Sequence, residues 1–352
     1  MVGCCPLSAW QDANVAIEST DCYRRNLAAL TTFLPSVALT IEQTTVPDAV
    51  TAATGRDGST TFLLPGTEGR MNWLGGSSMP TVSAPELMGQ FIGDGSGVVL
   101  PGVLTGLEPL HLAEGTPAHT PIFVLEPEPL FAKLALHLYD YSALFERQRL
   151  VLILSPLDDL EEPLCAFFRE HDGFELPLHL LPVPQRSTAE MARLGASIEE
   201  AGAAVSRLQS HTVESLTRKI ARRRFGACPA RPRVAVLSVD PRPVALEQAH
   251  RVERALAKLD WPGTLCIPDT PGRCHTVARL RAVDAATADA VILINGRAES
   301  LTARLPDELP IISWYFPEAI ITEPRTARRP RELIVGSSNA VCRSLVAAGH
   351  AA

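Results

Sequence analysis

The sequence lacks the features of several classes of protein. Aromatic residues make up only 5% of its 352 residues. The sequence has 32 basic and 39 acidic residues, which gives a net charge of -7. Nucleic-acid-binding domains need a basic surface, so this balance argues against a nucleic-acid partner. No stretch reaches the roughly 18 uninterrupted apolar residues that span a bilayer. The first ten residues, MVGCCPLSAW, have no basic flank and no long apolar core, so they do not resemble a signal peptide. We therefore predict a cytoplasmic protein without a membrane span.

Cysteines spaced for a metal or redox centre are also missing. The eight cysteines are scattered and include no C-x-x-C pair, which is typical of a chain in a reducing compartment. Cys266, Cys274 and His275 lie close in the chain, but their spacing matches no common zinc site. The sequence therefore predicts no metal site. Its length and its 46% hydrophobic content are those of a globular protein with about two domains.

One segment, 98–154, has the pattern of a doubly wound nucleotide-binding unit. VVLPGVLTGLEPLHL predicts a strand, a glycine turn and a helix, and IFVLE predicts a second strand that ends at Glu126. Such units place small residues at the first turn and an acid at the tip of the second strand, where it accepts hydrogen bonds from ribose hydroxyls. Leu104 stands where the usual pattern has a further glycine. We predict that one cofactor cleft is lined by Gly102, Thr105, Gly106 and Glu126.

Strands alternate with helices on both sides of one long predicted helix. That helix starts with the Ser187–Glu190 capping box and continues to about residue 225 with an apolar stripe at spacings of three and four. Coiled-coil dimerisation is an alternative role for it. The predicted fold is α/β, with two Rossmann-like parallel-sheet units joined by the long helix and a small N-terminal α+β cap. The predicted boundaries are 1–80 for the cap, 81–186 for the first unit, 187–230 for the helix and 231–352 for the second unit.

Polar and aromatic residues follow the predicted strands of the second unit. Ligands bind outside the carboxyl ends of parallel strands, so residues at these ends are candidates for contact with substrate. Asp240 is the candidate general base, because an attacking hydroxyl must lose its proton, and a helix cap is its alternative role. Of Trp314 and Tyr315, one should be a core residue, because consecutive strand residues point to opposite faces. The candidate substrate-binding residues are Asn295, Arg297, Trp314, Tyr315, Ser337 and Ser338.

Two parts of the chain resemble known glycosyltransferases. VVLPGVLTGL, IFVLEPEPLFAKLAL and DYSALF resemble the methyltransferase-like Rossmann unit of bacterial motility accessory factor-type glycosyltransferases. ADAVILING and LPDELPIISWYFPEA resemble the N-terminal half of spore-maturation type glycosyltransferases, which have the two-Rossmann GT-B architecture. The resemblance implies an acceptor-side unit for a protein or cell-surface glycosylation enzyme that uses a nucleotide sugar.

In the GT-B architecture the nucleotide-sugar donor lies mainly on a second, C-terminal Rossmann domain, which the resemblance does not cover. We therefore expect a donor-binding partner domain or protein, a protein that binds without transferring sugar, or a shortened chain, and we expect no transfer by this chain alone. Two other functions stay open. The 98–154 unit is also compatible with an S-adenosylmethionine-dependent methyltransferase, and the whole chain with a non-catalytic interaction protein.

Overall fold

The described residues form two compact units. The first contains the described residues of Met1–Glu170 and Glu175–Val205, and the second contains those of His171–Phe174, Ser206–Asp269 and Arg273–Ala352. No helix among them is long and apolar enough to cross a membrane. The computed structural model describes residues 21–66, 69–89, 91, 96–223, 231–240, 242–261, 263–265, 273, 275–297, 305–317 and 331–347.

The first unit begins with helices and a small antiparallel sheet. The helices are α1 (Asp21–Phe33), α2 (Pro35–Gln43) and α3 (Pro80–Met88), and the sheet has the strands β1 (Thr51–Thr54), β2 (Thr60–Pro65) and β3 (Met71–Trp73) in that order. The helix predicted to stop before Pro35 is followed at once by α2, because proline at a first helical position sacrifices no hydrogen bond. The predicted hairpin across residues 55–58 joins β1 to β2.

A parallel sheet follows in the same unit. Its strands are β4 (Val98–Leu100), β5 (Ile122–Glu126), β6 (Leu150–Leu154) and β7 (His179–Leu180). Their order is β6-β5-β4-β7, and every pair is parallel. The strand predicted over 176–183 is shortened to the two residues of β7 at the sheet edge, because flanking prolines cannot donate to a ladder. The helices of this layer are α4 (Glu108–Gly115), α5 (Pro129–Leu138), α6 (Ser142–Glu146) and α7 (Glu161–Glu170).

The long helix α8 (Thr188–Ala221) contributes residues to both units. Its start has the predicted capping box, in which Glu190 accepts hydrogen bonds from the backbone and hydroxyl of Ser187 at 2.7 Å each. Its last turns bring Leu216 and Ile220 into the core of the second unit. The helix is therefore divided between the units, and the segments predicted as 1–80 and 81–186 lie in one unit.

The second unit is built on a five-stranded parallel sheet. The strands are β8 (Val234–Ser238), β9 (Gly263–Leu265), β10 (Ala290–Ile294), β11 (Ile311–Tyr315) and β12 (Glu332–Gly336), in the order β12-β11-β10-β8-β9. The helices are α9 (Pro243–Lys258), α10 (Thr276–Ala285) and α11 (Asn339–Ala347). The strand order reverses between β8 and β10, as in flavodoxin-like sheets. The predicted fold class, α/β with two Rossmann-like parallel-sheet units and a small N-terminal α+β element, is confirmed.

The buried side chain of Asn26 joins α1 to the end of α5. The Asn26 amide donates to the carbonyls of Leu136 at 2.8 Å and Tyr139 at 2.7 Å, and its Oδ1 accepts the backbone N–H of Tyr141 at 2.7 Å. The last carbonyls of a helix have no partner within the helix, so Asn26 caps α5 from a different element.

Replacing Asn26 with alanine should lower the free energy of unfolding by about 2–4 kcal/mol, because three buried backbone groups lose their partner. Urea unfolding of wild type and variant measures this loss. Gln43→Ala, at an exposed glutamine of the same unit, is the matched control. A loss below about 1 kcal/mol would contradict the capping role.

Candidate functional site

The turn after β4 brings the four predicted cofactor residues of the first unit together. Gly102 and Gly106 have φ values of 113° and 93°, which glycine adopts without strain. Leu104 also has a positive φ, 54°, and is 7% exposed. The Glu126 Oε2 atom accepts the backbone N–H of Val103 at 2.9 Å, so the acid at the tip of β5 lies against this turn.

The protein itself satisfies the Glu126 carboxylate. Its Oε1 atom accepts the backbone N–H of Glu128 at 3.0 Å, and the residue is only 2% exposed. Burial raises the pKa of Glu126 to about 7, although the two N–H donors and Arg186 favour the charged form. A ribose diol can reach this carboxylate only if the turn around it opens.

A second buried acid, Glu108, was missed by the sequence analysis. Its Oε2 atom accepts the Thr105 backbone N–H at 3.0 Å and the Thr105 hydroxyl at 2.8 Å. Burial raises the pKa of Glu108 to about 7. The T-x-x-E spacing of Thr105 and Glu108, which is that of a capping box, is the sequence signal that could have found it.

The crevice at the strand ends of the first unit holds a turn of the chain itself. The strand order β6-β5-β4-β7 reverses at β4, so the ligand position of such a sheet lies between the carboxyl ends of β4 and β7. There the 3₁₀ turn Leu74–Gly76 lies on the turn after β4: a Cβ on Gly75 would be 2.3 Å from Leu104 C and from Thr105 N. The Leu104–Thr105 peptide is therefore covered by the chain itself and is not open to S-adenosylmethionine as folded.

In the second unit, Asp240 lies two residues beyond Ser238, the last residue of β8. Its carboxylate accepts the backbone N–H of Arg242 at 3.0 Å and is also held by the Arg242 guanidinium, with Nε at 2.9 and 2.8 Å from the two oxygens. The Asp240 side chain is 13% exposed and that of Arg242 is 43% exposed. The Asp240 carbonyl accepts the Ser238 hydroxyl at 2.7 Å. These bonds hold the carboxylate in one orientation at the edge of the sheet.

Asn295 ends the neighbouring strand β10 in a left-handed conformation, with φ 56°. Asparagine tolerates this region better than most residues. Its Oδ1 accepts the Phe316 N–H at 2.9 Å, and its own N–H donates to the Trp314 carbonyl at 3.0 Å. In the described structure the Asn295 Nδ2 and the Trp314 Nε1 are buried without a hydrogen-bond partner. The two residues therefore lie side by side, with Trp314 half-buried and stacked on Phe316.

Two of the predicted substrate residues are interior residues. Arg297 is 2% exposed and pairs with Glu332 at 3.1 Å, because a buried guanidinium needs a charged partner. Tyr315 is 2% exposed and packs on Val341 and Leu345 of α11. As expected, one of the two consecutive aromatic residues belongs to the core, and it is Tyr315. The placement of Arg297 and Tyr315 corrects the expectation that they line the substrate cleft.

Ser337 and Ser338 are exposed at the end of β12. The Ser337 N–H donates to the Tyr315 carbonyl at 2.9 Å, and the Ser338 hydroxyl accepts the Val341 N–H at 3.3 Å, which caps α11. Three strand spacings of about 4.8 Å separate β12 from β8, so these hydroxyls lie about 14 Å from the end of β8. They can contact the same ligand as Asp240 only if it is larger than a monosaccharide.

Two further kinds of feature in the part of the chain that the structure describes are clusters of possible metal ligands and a surface groove. Within the described residues, no group of three or more His, Cys, Asp or Glu side chains could hold a metal ion. A groove of about 430 Å³ in the first unit lies between α1 and α6 and not at the strand ends of that unit. It is lined by Arg25, Ala28, Ala29, Thr32, Phe33, Ser142, Phe145, Glu146 and Gln148.

Comparisons with known proteins found one weakly similar structure and no family. No protein-family model matches the sequence, and no curated protein matches it. A solved structure that is similar is that of a MAf glycosyltransferase from Magnetospirillum magneticum AMB-1, with 15% sequence identity and a TM-score of 0.39. The match covers 91% of this chain and 57% of that chain, so this chain spans little more than half its length. A likeness this weak assigns no family.

Proposed function

We propose that this protein is glycosyltransferase-like and that its second unit binds a sugar acceptor at the carboxyl ends of β8 and β10. The observation that supports this most is the strand order. Because the order reverses between β8 and β10, the connections leave these two strand ends in opposite directions and a crevice opens between them. Ile294 lies opposite Ser238 in the sheet, so Asn295 follows opposite Val239, and Asp240 is one residue further along a strand about 5 Å away. In this proposal one polar ligand contacts both Asp240 and Asn295.

The proposed chemistry assigns Asp240 the role of general base. An acceptor hydroxyl loses its proton as it attacks the anomeric carbon of the donor, and a carboxylate within hydrogen-bond distance takes that proton. The Arg242 backbone N–H and guanidinium occupy both oxygens of this carboxylate, so in this proposal the acceptor hydroxyl displaces part of the half-exposed Arg242 contact. In this proposal the Asn295 amide orients the sugar, and the Trp314 ring borders it. Ser337 and Ser338 contact the more distant part of a larger sugar or a glycosylated protein.

A nucleotide-sugar donor belongs, in this proposal, to a partner domain or protein. Stabilising a departing diphosphate needs several N–H donors, basic side chains or a metal. The helix that follows β8 starts at Pro243, and proline has no N–H to offer at a helix start. The basic side chain that contacts the Asp240 carboxylate, Arg242, is already paired with it and is not left over for a phosphate.

Asp240→Asn should weaken the binding of an acceptor sugar at least fivefold, because a charge-assisted hydrogen bond is replaced with a neutral one. Saturation-transfer NMR against a panel of mono- and disaccharides measures the affinity. Asp307→Asn is the matched control, since Asp307 is an exposed acid that precedes β11 and lies toward the amino ends of the strands. Equal affinities for wild type and Asp240→Asn would contradict the proposed site.

A transfer assay tests the assignment of the donor. Sugar transfer from a nucleotide donor should require an added donor-binding partner and should be lost in Asp240→Asn, because donor and acceptor must be held together for reaction. Transfer by the purified 352-residue chain alone would contradict the partner requirement while leaving the acceptor site intact.

A further inference from the structure

The geometry points to Leu74–Gly76 as an internal plug that excludes a nucleoside from the strand-end crevice of the first unit, and whose release opens a nucleoside-binding site. We call this turn the plug. It belongs to a part of the chain that takes no part in the function proposed above. The first unit has a sheet of the ligand-binding type, and the plug covers the peptide that follows β4 at its strand ends.

The plug lies where a ligand would lie. In a sheet of this order the ligand position is between the carboxyl ends of β4 and β7. The plug contacts the residues that follow both strands: Gly75 lies on the Leu104–Thr105 peptide beyond β4, and its carbonyl accepts the side-chain amide of Gln185, beyond β7, at 2.7 Å. One turn thus bridges the two sides of the crevice.

Glycine is required for this close approach. Because a Cβ on Gly75 would lie 2.3 Å from backbone atoms, no other residue fits without displacing the plug or the turn below it. Gly75 and Gly76 both have a left-handed backbone, with φ values of 64° and 74°. Leu74 is 1% exposed and anchors the plug in the unit.

Apart from the buried Leu74, the plug is attached to the unit by few contacts among the described residues. It follows β3, an edge strand of three residues that pairs with β2 in the described sheet. On the crevice side, the hydrogen bond that the structure describes to the plug is donated by Gln185, whose side chain is exposed. A hydrogen bond of this kind contributes little net stability, so breaking it shifts the balance between closed and open states by about fivefold.

The ligand class follows from Glu126. This carboxylate ends β5 and lies 3.4 Å from the position of a Cβ on Gly102, at the glycine turn. An acid in this position of a doubly wound unit accepts both hydroxyls of a ribose. When the plug leaves, a vicinal diol can replace the Val103 N–H as the donor to Glu126. A nucleoside with an intact diol is therefore the ligand that fits the opened crevice.

The test uses Gln185→Ala to loosen the plug and Gly75→Ala to expel it, with Gln43→Ala as the exposed-glutamine control. Hydrogen exchange at the Val103 and Thr105 amides reports opening of the turn, and calorimetry with adenosine reports binding. We expect exchange to rise about fivefold in Gln185→Ala but not in Gln43→Ala. Adenosine should bind both plug variants at least fivefold more tightly than wild type, and 2′-deoxyadenosine should show no such gain.

Unchanged exchange in Gln185→Ala would overturn the proposal. Faster exchange without a gain in adenosine affinity would overturn it as well, since the plug would then be ordinary packing. If Gly75→Ala fails to fold, Gln185→Ala decides the outcome alone, because its side chain is exposed and its removal leaves the core intact.

Discussion

Replacing Arg297 with methionine is expected to lower the free energy of unfolding of the second unit by about 3–5 kcal/mol. The Arg297 and Glu332 side chains are 2% and 0% exposed, and they form an ion pair at 3.1 Å. Glu332 also accepts the Ser313 hydroxyl at 2.6 Å. Removal of the guanidinium takes the cationic partner of this ion pair away from a carboxylate in the interior. Urea unfolding, followed by amide exchange in β10, β11 and β12, measures the loss in this unit.

The double variant Arg297→Met with Glu332→Leu separates the ion pair from simple packing. Replacing both partners of a buried pair with apolar residues is often neutral or stabilising, so the double variant should recover most of the loss. If the double variant is as unstable as Arg297→Met, the loss comes from side-chain packing and not from the stranded charge. Unaltered stability of the single variant would contradict the buried position of Arg297 and would favour its predicted contact with substrate.

The buried acids of the first unit should make its stability fall as the pH rises. Burial raises the pKa of both Glu108 and Glu126 to about 7 in the folded protein, compared with 4.5 for an unperturbed glutamate. Below pH 7 the folded state binds a proton that the unfolded state does not bind until about pH 4.5. Each acid therefore stabilises the fold by about 2.5 kcal/mol more at pH 5 than at pH 8.

Histidines act in the opposite direction in part of this range. Burial lowers the pKa of His137 to about 3 and also lowers the pKa of His275, so each lowers stability as the pH falls below about 6.5. The charged or titratable groups near the two acids are Arg186 and Glu128 for Glu126, and Tyr141 for Glu108. A comparison of wild type with a variant of one acid removes the histidine contribution, because it is common to both proteins.

Glu126→Gln is the informative variant. It keeps the shape of the protonated acid but cannot titrate, so the stability difference between wild type and variant should change by about 2.5 kcal/mol between pH 8 and pH 5, in favour of wild type at pH 5. Urea unfolding at both pH values measures it, and Glu86→Gln, at an exposed acid of α3, is the control. A difference independent of pH would show that Glu126 is not the group that binds the proton.

Several features of this protein could be predicted from local sequence alone. Continuous apolar runs such as 290–294 predict strands covered on both faces, and these strands are parallel in the structure. The Ser187–Glu190 box predicts the start of α8, because both side chains act within one turn of helix. The glycines at 102 and 106, with the acid at 126, predict a turn and a strand tip that lie together. All of these signals depend on neighbours that are close in the chain or on the period of a regular element.

Tertiary contacts decided which residues at the strand ends of the two sheets are accessible and which are buried. Arg297, which follows a strand in the sequence, pairs with an acid 35 residues later, and no local pattern indicates such a partner. The strand orders, which locate the crevices of both units, depend on how distant strands pair. Gly75 belongs in sequence to an ordinary loop, yet it lies on the Leu104–Thr105 peptide. The sequence alone determined which residues reach the strand ends. Only the packing of distant segments decided which of them are buried, paired or covered, because burial and charge pairing are properties of the assembled chain.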